Sequence, residues 1–76
     1  MLSKKITINT IDNVKTFVNA ALKCNFDIDL VSGRHAIDAK SIMGVFSLDL
    51  SKPVTVQVYT ENADVFFSEI ESFVSQ

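Results

Sequence analysis

The spacing of apolar residues changes period repeatedly along this chain, from two to 3.6 and back, which restricts it to short strands alternating with helices. Lys4-Lys5-Ile6-Thr7-Ile8-Asn9 alternates, so Ile6 and Ile8 share one face of a first strand. From Ile11 to Cys24 the spacing turns helical, with Val14, Phe17, Val18, Ala21 and Leu22 on one stripe. Thr10 and Asp12 both qualify as its N-cap, because a short oxygen-bearing side chain can accept from the orphan amides of the first turn. Phe26, Ile28 and Leu30 alternate with Asp27 and Asp29 in a second strand, and Ser32-Gly33-Arg34 supplies turn chemistry. His35 to Lys40 is the return strand, with Ile37 and Ala39 inward.

Ser41 to Leu48 breaks the alternation and predicts a short helix capped by Ser41. Pro53 presets an extended start for Val54 to Tyr59, whose three valines share a face. The tail from Asn62 to Val74 is helical again, with Ala63, Phe66, Phe67, Ile70, Phe73 and Val74 in one stripe and Asn62 as its cap. The predicted order is therefore β-α-β-β-α-β-α. One-sided strands and amphipathic helices of this kind make an α+β fold, a two-layer open-faced β-sandwich whose four-stranded antiparallel sheet carries helices on one face. The other face would present Lys5, Thr7, Asp27, Asp29, Thr55, Gln57 and Tyr59 to water. At 76 residues and 8.4 kDa the chain can bury one modest core, so a single domain over residues 1–76 is expected.

Charge and cysteine usage exclude several functions. Seven basic against nine acidic residues leave a net charge of −2, and no cluster of Lys or Arg offers phosphates a basic face, so no nucleic-acid partner is expected. One cysteine builds neither a disulfide framework nor a zinc site, which fits a reducing compartment. No stretch has the ~20 apolar residues of a membrane span and no leader is legible at the N-terminus, so a cytoplasmic protein is expected.

The segment Lys40-Ser41-Ile42-Met43-Gly44-Val45-Phe46-Ser47-Leu48 resembles the regulatory-serine segment of HPr, the histidine-containing phosphocarrier of the bacterial sugar phosphotransferase system. The resemblance runs without gaps from about Lys4 to Leu50 and continues by element order to the C-terminus. It implies the same open-faced sandwich. It also implies a phosphorylatable histidine at the start of the first helix, followed by alanine, arginine and proline. Counting back from Ser41, those positions fall on Thr10, Ile11, Asp12 and Asn13, and the only histidine in the chain is His35. A phosphohistidine needs an imidazole nitrogen as nucleophile, whereas threonine has only a hydroxyl of high pKa. The Asp12 carboxylate would also repel an incoming phosphate, by about 1 kcal/mol at ~4 Å in bulk water and several times more where water is excluded. The chain is thus expected to be a degenerate member lacking histidine phosphotransfer, with Thr10 or Asp12 an ordinary cap.

Ser41 matches the family's regulatory phosphorylation site, where a phosphate adds about two negative charges beside a helix terminus. Val45, Leu48 and Leu50 facing the core would leave Ile42, Met43 and Phe46 outside as a partner-binding patch. The remaining candidates read blandly. His35 lacks a second ligand or a neighbouring acid, Cys24 lacks a histidine, and Asp27 and Asp29, about 7 Å apart by strand rise, form a wet strand face. No metal constellation, phosphate loop or cofactor is indicated.

The expectation is a non-enzymatic, HPr-like regulatory or protein-binding module, monomeric or weakly dimeric, whose partners are other proteins and whose switch is Ser41. The alternatives are a working small phosphocarrier, or a structural domain with no phosphorylation at all.

Overall fold

The computed structural model describes residues 1–74. In chain order it contains β1 (Leu2–Ile6), α1 (Ile11–Leu22), β2 (Ile28–Ser32), β3 (His35–Asp38), α2 (Ile42–Phe46), β4 (Val54–Val58) and α3 (Asp64–Glu69), followed by one turn of 3-10 helix at Glu71–Phe73. The order matches the periodicity element for element. The sheet runs β1-β4-β2-β3 with every neighbour antiparallel. Sheet order thus departs from chain order, and the last strand fills the slot between the first and the second.

Register explains which side chains are inside. Ile6 pairs with Val54, and Leu30 pairs with both Val56 and Ile37, so one apolar row spans β4, β2 and β3, with Lys4 opposite Val56 at the β1 edge. Ile6, Ile8, Ile28, Leu30, Val54, Val56 and Val58 are buried against Val14, Phe17, Val18, Val45, Phe66 and Ile70 from the helices. The opposite face carries Ser3, Gln57, Asp29 and Asp38 in one row and Lys5, Thr55, Val31 and Ala36 in the next. This is the wet face that alternation called for. The β2–β3 turn is closed by Gly33 at a φ of 60°, a conformation that side chains with a Cβ rarely adopt.

The structure corrects the reading of both long helices. Leu22 was expected on the buried stripe of α1, yet it is 57% exposed, while Ala20 is 3% exposed. Residues two apart on a helix stand about 200° apart. α3 packs on the Ala20 side, where the Phe17 and Phe66 rings meet edge-on with centroids 6.0 Å apart. Covering that side of α1 leaves Leu22 in water.

The tail is not one helix either. α3 stops at Glu69, and the chain re-enters extended conformation so that Val74 bridges Ile6 antiparallel and Phe73 O accepts from Thr7 N at 2.8 Å. β1 is an edge strand, and this pairing covers the end of its free edge. Asn62 does not cap α3 in the usual way. Ala63 occupies the cap position without a side-chain bond, and Asn62 Oδ1 accepts from Asp64 N at 3.1 Å, one residue early.

The open face gives a direct spectroscopic check. Tyr59 Oη donates to Asp29 Oδ2 at 3.0 Å, and that bond, with the Asp29 charge behind it, holds the phenol above its ordinary pKa. The folded form therefore favours the neutral phenol. Its contribution to stability is present below the ordinary tyrosine midpoint and fades as pH rises through the raised one. Tyr59 is the one tyrosine and there is no tryptophan, so ultraviolet difference absorbance reads it alone. Asp29→Asn is expected to move the midpoint back down. An unmoved midpoint would mean that the bond does not persist in solution.

Candidate functional site

Two helix starts carry the candidate residues. At α1, Thr10 is the N-cap, with extended backbone (φ −124°, ψ 157°) and Oγ1 accepting from Asn13 N at 3.1 Å. Of the two candidate caps it is Thr10 that serves. Asp12 lies exposed in the first turn, where its charge complements the positive end of the helix dipole. The amide that a bound anion could use at Asn13 is already occupied by the threonine oxygen. No imidazole joins this turn. His35 opens edge strand β3 and pairs through its backbone with Ser32. It shares the end of the sheet from which β1 exits but lies three strands over, roughly 14 Å by strand spacing. Among the described residues no hydrogen bond or ion pair connects its side chain to Thr10, Asp12 or Asn13.

At α2, Ser41 is the N-cap, with φ −97°, ψ 103° and Oγ accepting from Gly44 N at 3.3 Å. Asp38 sets the approach. Its Oδ1 accepts from Lys40 N at 2.9 Å and its carbonyl from Ser41 N at 3.0 Å, turning the chain off β3 into the helix. Ser41 is exposed, and among the described residues no carboxylate or imidazole hydrogen-bonds its hydroxyl, so any phosphorylation depends on an enzyme that supplies a base.

α2 is pinned by a single buried side chain, Val45, while Leu48 and Leu50 pack half-buried behind it. Ile42, Met43 and Phe46 remain 37%, 78% and 42% exposed, a contiguous apolar surface on one short helix. α2 also packs against α1, so this patch and the Thr10 turn belong to neighbouring helices. Lys40 was not singled out by pattern, yet its ammonium donates to Cys24 O at 2.9 Å and ties the entry of α2 to the end of α1. A cation at a helix C-terminus is favoured by the dipole, but nothing local in sequence links residues 16 apart.

The other candidates behave as structure. Burial, only partly offset by Lys40, pushes the Cys24 thiol above its ordinary pKa, and Sγ donates to Ala20 O at 3.5 Å. This thiol is less ionised than a free one and is no activated nucleophile. Asp29 faces Asp38 across β2–β3 and is held by Tyr59, and Asp27 O accepts from Tyr59 N at 3.0 Å. Among the described residues no helix is long and apolar enough to cross a membrane.

Comparison with known proteins decides the lineage. The family profile described as "PTS HPr component phosphorylation site" matches residues 12–76. The chain belongs to the HPr family. Solved HPr structures share its fold. HPr-C-His from Thermoanaerobacter tengcongensis superposes with a TM-score of 0.78 at 23% identity, covering 95% of this chain and 89% of that one. The phosphocarrier protein HPr from Bacillus anthracis str. Ames gives 0.73 at 20% identity over 97% and 96%. The histidine-containing phosphocarrier protein of a Mycoplasma gives 0.70 at 21% over 93% and 86%. The HPr fold is thus retained, at identities where the chemistry of each position has to be read residue by residue.

Proposed function

We propose that this HPr-family chain does not carry phosphate on histidine, and that it acts as a non-catalytic, protein-binding regulatory module switched by phosphorylation of Ser41. The reading rests on one contrast. The α1 start holds a threonine cap and the Asp12 carboxylate where the family has imidazole and guanidinium, while the α2 start keeps an exposed, capping serine beside an apolar patch. A threonine hydroxyl is a poor phosphoryl acceptor without an activating base, and Asp12 opposes the approaching anion. At Ser41 the chemistry asks little of the chain. Oγ attacks the γ-phosphorus of ATP, the bond to ADP breaks, and the hydroxyl proton leaves to the kinase's base.

Ile42, Met43 and Phe46 supply the docking surface for a partner protein in the cytoplasm. A dianion at Ser41 would sit at the rim of that surface and raise or lower affinity according to the partner's charge.

Two incubations test the reading by intact mass. With phosphoenolpyruvate and the first enzyme of the phosphotransferase system, no phosphate is expected, and a gain of one would restore the phosphocarrier alternative. With ATP and the family's serine kinase, one phosphate is expected on the wild type and none on Ser41→Ala. An unmodified wild type would leave a purely structural or binding role.

A further inference from the structure

Gly44 lies within α2, where alanine is the better helix former, and its φ is not in the left-handed region. Backbone conformation therefore does not call for glycine here, in contrast to Gly33. What the missing side chain leaves is space beside Ser41. A Cβ at position 44 would stand 3.2 Å from Ser41 Oγ, 3.5 Å from Ser41 Cβ and 3.4 Å from Ile37 Cδ1. The methyl would crowd the hydroxyl at 3.2 Å while making ordinary contact with the end of the half-buried Ile37 side chain, so the oxygen is the atom that has to give.

We infer that Gly44 is a positioning residue for the modification of Ser41, its bare Cα giving the clearance that lets Oγ cap α2 and still accept a phosphoryl group. The inference rests on the serine-switch reading. Ser41 Oγ accepts the cap bond from Gly44 N at 3.3 Å, so the atom that would take the phosphate already lies against residue 44. Phosphorylation replaces the hydroxyl hydrogen by a phosphorus with three further oxygens. That volume has to be taken up around the atom that a Cβ at 44 would crowd.

The test uses the full chain with phosphoserine incorporated at position 41 during translation, so that it does not depend on any kinase. Unmodified wild type and Gly44→Ala are expected to melt close together, because the better helix former is offset by the crowded cap. The phosphoserine chains are expected to separate, with Gly44→Ala melting several degrees lower. Equal melting shifts on phosphorylation in the two backgrounds would overturn the inference.

Ser41→Ala with Gly44→Ala removes the crowded oxygen, and alanine at 44 should then be stabilising. Should Gly44→Ala alone fail to fold while this double variant folds, the clash lies with the Ser41 side chain and the clearance stands. A separate kinase assay should find Gly44→Ala modified roughly tenfold more slowly than wild type. If the kinase leaves the wild type untouched, the serine-switch reading fails, and the phosphoserine chains still decide the clearance.

Discussion

On the proposed function, the wild type takes no phosphate from phosphoenolpyruvate, and Thr10→His combined with Asp12→Arg is expected to take one. The backbone at position 10 already presents a side chain at a helix N-terminus. Position 10 is extended at the mouth of a 12-residue helix, so a ring placed there meets the positive end of the dipole. Removing the Thr10 oxygen also frees Asn13 N, whose one visible partner is that oxygen. An imidazole nitrogen can attack phosphorus, forming the N–P bond as the bond to the donor enzyme breaks, and the guanidinium at 12 neutralises the arriving charge.

Thr10→His alone, with Asp12 kept, should transfer more slowly. A like charge at ~4 Å costs about 1 kcal/mol in water and about 4 kcal/mol at the effective dielectric of a protein surface, hence roughly fivefold to several hundredfold. Intact mass before and after acid treatment separates the acid-labile phosphohistidine from a stable phosphoserine. Failure of the double variant to gain phosphate would show that more than these two side chains was lost. A phosphate on the wild type would remove the basis of the proposed function.

Phe17→Ala is expected to bring the domain close to unfolding. Phe17 is fully buried and stacks edge-on against Phe66, joining α1 to α3 above the sheet. Truncating a buried phenylalanine costs about 3–5 kcal/mol through lost transfer energy and the cavity left behind. At ~0.05–0.15 kcal/mol per residue, a chain of this length holds only about 4–11 kcal/mol in total. For a domain of this size each kcal/mol moves the melting temperature by about 4–8 °C, so a fall of at least about 12 °C is expected by calorimetry or circular dichroism. Val65→Ala on α3 is the control. Val65 is 76% exposed, and its truncation should shift stability by no more than about 0.5 kcal/mol. A Phe17→Ala variant that melts like this control would mean that the α1–α3 contact does not form the core described.

Much of the candidate site was legible without coordinates because caps and short apolar patterns are local. Ser41 precedes an apolar run and Thr10 precedes the α1 stripe, and both prove to be caps with side-chain bonds to the third residue on. The exposure of Ile42, Met43 and Phe46 followed from Val45 having to face inward on a helix of five residues. No local pattern marks Lys40, because its partner, Cys24 O, becomes a neighbour only when β3 returns beside β2 and delivers α2 against α1. Gly44 looked like an element of a motif, and only its distances to Ser41 Oγ and Ile37 Cδ1 show what the absent side chain leaves open.

By itself the sequence determined the element order, the buried face of each strand, the Ser41 cap and the absence of an imidazole at the start of α1, while Thr10 and Asp12 remained equal candidates for the α1 cap. These depend on residues a few positions apart, whose side chains meet through backbone geometry alone. Tertiary structure decided the insertion of β4 between β1 and β2, the exchange of Leu22 for Ala20, the early end of α3 and the placing of His35 three strands from Thr10's side of the sheet. Each of these turns on partners far apart in the chain. The free sheet edge at β1 and the side of α1 that α3 covers exist only once the layers have closed, and they override what the local period favours.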